Sequence, residues 1–215
     1  QNVLPDPNNN ITPSGESSGT GAVAGPGFSA VTLTSQQPYV MNRSNSGLAF
    51  KSINRYQKFM VDIKYNSLTK SEFNVVYPFL LQRQATLEAF FVELPQYGNS
   101  NAGTKNITLS STVAAGSTEL TLNNINSIAV ADMFFITDPQ DDVHVKTYKV
   151  TKINGTTITI TPPLQRKLDH TLSGTRQVSF GTPKMRVCVM GSDIQYSVDA
   201  KGLYSFSVKL EENLS

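Results

Sequence analysis

The sequence predicts a mainly β protein: a β-sandwich with one short helix, plus an inserted small β-barrel. Three observations carry this expectation. Asn, Ser and Thr supply 60 of the 215 residues, while hydrophobic residues reach only 39% and charged residues 16%. That composition favours turns and half-buried strands. Apolar and polar residues alternate along several short stretches, the period of a strand with one buried face. Just one stretch carries a helix start signal followed by apolar residues at helical spacing. At 215 residues, one large or two small domains fit, since domains run ~100–200 residues.

Residues 1–27 are expected to form an extended N-terminal arm. The first 42 residues contain no Lys or Arg, and residues 5–27 are dense in Pro, Gly, Asn and Ser. Such a segment has nothing to bury and is ordered only by packing on something else. It could lie on its own domain or on a neighbouring subunit, and both readings stay open. Its glycines (Gly19, Gly21, Gly25, Gly27) neither follow a strand nor open a helix, so they are no phosphate cradle.

Strands are expected at Val31–Leu33 and at Lys58–Tyr65, where Phe59, Val61, Ile63 and Tyr65 alternate with polar partners. Thr69-Lys70-Ser71-Glu72 is a capping box, with Phe73, Val76, Tyr77 and Leu80 following at helical spacing. Pro78 removes a backbone donor, so a kink or early stop is expected, with the helix over by Gln84. Leu87–Leu94 reads as a buried strand closed by Pro95.

Residues 105–180 read as an inserted small β-barrel. Thr118–Leu122 and Asp132–Ile136 are short strands. His144–Ile153 and Thr156–Thr161 flank Asn154-Gly155, a two-residue hairpin signal. From Met185 the alternation returns in three strands joined by turns at Gly191–Asp193 and Ala200–Gly202. These strands need a partner sheet, and residues 29–94 supply one. Residues 28–104 plus 181–215 are therefore expected to form one discontinuous β-sandwich interrupted by the barrel.

The charge balance excludes several functions. A formal net charge of +2 is too small for a nucleic-acid binder held by a dense basic patch. A lone cysteine, Cys188, offers no intramolecular disulfide, and mid-strand it reads as packing rather than as a nucleophile. No apolar run approaches the ~20 residues of a membrane span, and Gln1–Asn10 lack the basic and apolar regions of a secretory leader. His144 and His170 do not have zinc-ligand spacing. Asp138-Pro139-Gln140-Asp141-Asp142 is the densest acidic run, yet it lacks the glycine and spacing of a calcium loop. It reads as a solvated hairpin tip. No cofactor or metal is expected, and no catalytic residue stands out.

At Asn54–Pro95 the residues form a recognisable block. A strand (Lys58–Tyr65) leads to Leu68-Thr69 with Glu72, then a Phe- and Leu-rich helix, then a strand ending in Pro95. This block resembles bacteriophage tail and baseplate structural proteins of the distal-tail-protein type. The likeness extends over residues 28–212. It takes in Tyr148-Lys149-Val150, Pro162-Pro163-Leu164 and a final strand around Tyr204–Phe206 followed by Glu211-Glu212. The turn Gln84-Ala85-Thr86 departs from the pattern in lacking a glycine, and Pro78 lies deeper in the helix than the pattern has it.

The resemblance implies a non-enzymatic virion protein, a commonly hexameric ring joining the tail tube to the tail tip, hub or baseplate. It would be made in the host cytoplasm, and genome DNA would meet it only in passing through the channel. Candidate contacts between subunits are Phe28, Val31, Leu33 and Tyr39. Candidate exposed loop contacts are Tyr97, Asp138, Asp141 and Asp142. The alternative is a carbohydrate- or receptor-binding β-domain at the tail tip, its site on loops 95–104 and 138–145. The absence of Trp, the best platform for a sugar ring, weighs against it. An enzyme such as a wall hydrolase would need paired carboxylates that nothing in the spacing recommends.

Overall fold

The computed structural model describes residues 2–6, 27–53, 57–103, 107–138, 141–171 and 178–213. In chain order the strands are β1 (Ala30–Gln36), β2 (Tyr39–Arg43), β3 (Ala49–Ile53), β4 (Lys58–Leu68), β5 (Phe90–Glu93), β6 (Glu119–Thr121), β7 (Met133–Asp138), β8 (Asp141–Asn154), β9 (Thr157–Thr161), β10 (Val178–Ser179), β11 (Lys184–Val189), β12 (Tyr196–Val198) and β13 (Tyr204–Glu212). Helix α1 (Lys70–Thr86) follows β4. The protein is mainly β with one substantial helix, as its composition and alternation predict.

The first sheet has the order β1-β4-β13-β11-β5, with β12 paired to β13, and all of these pairings are antiparallel. Its inner face is written in the alternation of β4 and β13. Phe59, Val61, Ile63 and Tyr65 are buried beside Phe206, Val208 and Leu210. Helix α1 covers that face with Phe73, Val76, Phe79 and Leu80. Each such side chain removed from water contributes ~1.5–3 kcal/mol. The three C-terminal strands do not form a meander. β13 inserts between β4 and β11, and β12 pairs β13 rather than β11. The C-terminal strands and residues 30–93 are thus hydrogen-bonded side by side in one sheet, where a facing pair was expected.

The capping box forms as read: the Glu72 amide donates to the Thr69 hydroxyl, and the Thr69 amide to the Glu72 carboxylate at 2.7 Å. Two expectations about α1 need correcting. It continues through Pro78 and ends at Thr86, not by Gln84. Pro78 sits on the exposed side of the helix, so the carbonyl it leaves unpaired, that of Asn74, opens toward water. The strand expected from Leu87 starts at Phe90, because Leu87 closes the helix in the left-handed conformation (φ 54°, ψ 23°) with its side chain 81% exposed. The missing glycine of this turn is a real departure: a leucine holds the position glycine usually takes.

The second sheet, β10-β7-β8-β9-β6, is antiparallel throughout and curls around its own core. Phe134 stacks between Tyr148 and Phe180, with ring centroids 5.8 and 4.6 Å away. Leu120, Ile136, Val150, Ile158 and Ile160 fill the rest. The β8–β9 hairpin exists, one residue on from the position expected. Asn154 pairs Thr157, so the loop is Gly155-Thr156. Gly155 (φ 56°) takes the first loop position, where a type II′ turn places glycine.

The two segments that connect the sheets, around residues 98–103 and 181, pass in tight backbone contact. A Cβ on Gly98 would lie 2.5 Å from the Gly181 carbonyl oxygen, and one on Gly103 would lie 2.5 Å from the Gly181 Cα.

Candidate assembly surface

Between β1 and β4 the chain makes one further hairpin. Gln36 pairs Lys58 in the first sheet, and Tyr39 pairs Ile53 in a two-stranded sheet formed by β2 and β3 alone. Residues 39–53 are thus the outer part of a ribbon rooted on β1 and β4. At ~3.3 Å per residue it reaches about 20 Å to its tip. The tip is a three-residue loop, Asn45-Ser46-Gly47, closed by the Ser44 amide on the Leu48 carbonyl and by Gly47 at φ 83°.

Among the described residues nothing covers this outer part. All of β2 is exposed, and Tyr39, Leu48 and Phe50 are each 63% exposed. Val40 and Met41 are exposed as well. A two-stranded hairpin is marginal in water when it stands alone, and large apolar residues on both of its faces mark a surface that another body covers. β1 adds to this. It is the outer strand of its sheet, and its sequence AVTLTSQ has none of the charges or prolines that usually protect an edge.

The predicted contact residues divide. Tyr39 is on the exposed ribbon. Val31 and Leu33 are half-buried, packed on the chain's own first core, and Phe28 meets Tyr65 edge-on at 6.2 Å. Tyr97, in a 3₁₀ turn at Pro95–Tyr97, also packs on that core. Asp138 and Asp141 pair across the start of the β7–β8 hairpin, while the side chains of Asp138, Asp141, Asp142 and His144 lie outside the described part. Val40, Met41, Leu48 and Phe50 were missed by sequence reasoning. The cluster Ser44-Asn45-Ser46-Gly47 between apolar residues was the available turn signal.

The N-terminal arm follows the blander of its two readings where it is described. Val3 and Leu4 are buried on their own chain, with Val3 bridged in parallel to Phe91 and the Leu4 amide on the Phe91 carbonyl at 2.7 Å. The Gly27 amide donates to the Asp6 carboxylate at 2.8 Å. Residues 7–26, and the contacts expected of them, lie outside the described residues.

A buried polar network joins the two sheets. The Glu212 carboxylate, at the end of β13, accepts from Lys146 of β8, from the Phe59 amide at 3.0 Å and from the Thr147 amide at 3.3 Å. Both charged side chains are shut away from solvent. Lys146 also donates to the Gln57 carbonyl at 3.3 Å, and the Thr161 hydroxyl donates to the Gln57 amide oxygen at 3.0 Å. Burial pulls the Lys146 ammonium below its ordinary pKa, and this outweighs the attraction of Glu212. The arrangement fixes one sheet against the other; nothing in it positions a nucleophile.

The remaining polar candidates are equally quiet. The Thr112 hydroxyl and His170 Nδ1 share a hydrogen bond at 2.8 Å. Asp169 accepts from the Thr171 amide and hydroxyl, which hold its carboxyl below the usual range. Cys188 is half-buried, its thiol directed at the Glu211 carbonyl. Among the described residues no three His, Cys, Asp or Glu side chains are grouped to hold a metal ion. No described helix is long and apolar enough to cross a membrane.

Comparison with known proteins bears on the same part of the chain. Residues 18–97 match the family model described as distal tail protein pb9, A domain, N-terminal. No curated protein matches the sequence. The matched span takes in β1, the ribbon, β4, the capping box, α1 and β5, and therefore the block Asn54–Pro95 that carries the resemblance. Over residues 18–97, somewhat more than a third of its length, the chain is thus similar to the N-terminal part of a phage distal tail protein's A domain.

Proposed function

We propose that this protein is a ring-forming virion component, a homo-oligomer that connects the phage tail tube to the tail tip or baseplate and catalyses no reaction. The observation that carries the reading is the ribbon. Its outer half exposes Tyr39, Val40, Met41, Leu48 and Phe50, and covering each large side chain would stabilise an assembly by ~1.5–3 kcal/mol. A neighbouring copy is the body always present at the right stoichiometry. Contacts in which each copy gives one surface and receives on another close into a ring when the rotation allows. In such a ring the first sheet with α1 acts as one domain and residues 105–180 as an inserted barrel facing adjoining tail proteins. Ring order is expected to be six by the resemblance.

The test is direct. Light scattering and negative-stain class averages of the purified chain should show closed rings. Shortening the ribbon to a two-residue turn joining Val40 to Ser52 should yield monomers that retain the circular dichroism of the parent. Rings from the shortened chain, or a monomeric parent at every concentration, would refute the reading.

A further inference from the structure

We propose that the outer ribbon of one copy lies across the face formed by α1 and β12 on the next copy. The inference rests on the ring reading above and names the receiving surface.

Among the described residues a second apolar patch is partly exposed. Tyr196 and Val198 of β12 are about half exposed. The Tyr196 ring lies 5.1 Å from that of Tyr77 on α1. Leu81, one helical turn beyond Tyr77 and on the same side of the helix, is exposed too. β12 has β13 as its strand neighbour among the described residues, and a short strand so placed can take an added strand beside it. Asp193 and Asp199 flank β12 and are both exposed. The ribbon carries Arg43 and Lys51 and no acid. Both patches are therefore apolar at their centres; the ribbon is basic, and the ends of β12 carry two acids with Lys201 in the turn beyond Asp199.

Strand register separates the ribbon from this face of its own chain. The ribbon leaves the sheet beyond Lys58, the first residue of β4. β12 pairs Phe206, which pairs Tyr65 near the far end of β4, and α1 starts beyond Leu68. The giving and receiving patches thus adjoin opposite ends of an eleven-residue strand, some ~30 Å apart. A ribbon of about 20 Å is too short to fold back over that separation, so it meets such a face on another molecule. The contact is head-to-tail, as ring closure requires.

Two single variants test this, both at exposed positions that leave the core intact. Phe50→Glu spoils the giving surface, and Leu81→Glu the receiving one. Each alone should lose higher assembly, with association weakened at least tenfold. An equimolar mixture should form one-to-one dimers, because each variant retains the surface its partner lacks. A benzoyl-phenylalanine at position 50 of the full chain should crosslink between copies to residues 74–85 or 194–199. Crosslinks to any other surface, normal assembly by Leu81→Glu, or no dimer in the mixture would overturn the proposal. Rings formed by the parent alongside any of these results would leave the ring reading standing. A parent that never leaves the monomer would remove both.

Discussion

Replacing Lys146 by methionine should be among the most damaging single changes that leave the apolar cores untouched. The substitution keeps the stem that packs near Phe59, where the ammonium lies 5.4 Å from the ring centre. It removes the charge that faces the Glu212 carboxylate. What remains is a buried anion held by two backbone amides, those of Phe59 and Thr147. Stranding one partner of a buried pair costs ~3–5 kcal/mol. Pairing Lys146→Met with Glu212→Gln removes both charges and keeps an amide oxygen for the Phe59 amide. The loss should then fall to ~1–2 kcal/mol. Urea unfolding followed by circular dichroism reads the difference without salt effects. Because the pair ties β8 to β13, the single variant should also split one transition into two. A single variant within 1 kcal/mol of the parent, or a double variant no better than the single, would refute the account of the junction.

Other outcomes follow from the same structure. Leu87→Gly should raise stability by ~0.5–1 kcal/mol in thermal unfolding, because φ 54° strains a leucine and its exposed side chain loses little; an unchanged or lower midpoint would contradict this. Gly103→Ala should destabilise by ~1–3 kcal/mol, its new methyl meeting the Gly181 Cα at 2.5 Å, while Gly181→Ala, with 3.6 Å to its nearest neighbour, should be close to neutral; the reverse ranking would be decisive against the close approach of the two connecting segments. Asp169 has its folded pKa depressed below the ordinary 3.8, so its small contribution is present above that pH and fades as pH falls through the lower folded value. Carbon-detected titration should place its midpoint under 3.8, and a midpoint above would invert the sign.

Much of the body was legible because burial there is one-sided. β4 and β13 each have an inside and an outside, so their residues spell the period of two. The capping box was legible because its partners are three residues apart. The ribbon escaped because both of its faces are exposed within one copy: Tyr39, Val40 and Met41 run consecutively, with no inside to set a period. The Gly155 hairpin was found and misplaced by one residue, since Asn154-Gly155 and Gly155-Thr156 are both acceptable turns and cross-strand packing of Ile153 on Ile158 decides between them. The Lys146–Glu212 pair joins residues far apart in sequence, and buried charges run against every compositional prior. For the same reason the order of the first sheet, with β13 between β4 and β11, could not be read from alternation.

The placing of the ribbon between β1 and β4 in the chain has a mechanical consequence. Tension applied at the tip runs lengthwise down β4, which is hydrogen-bonded on both flanks over most of its length. Such a load is shared in shear by many rungs together, not concentrated on one at a time as in peeling. A joint built this way resists being pulled apart while its tip remains free to bend.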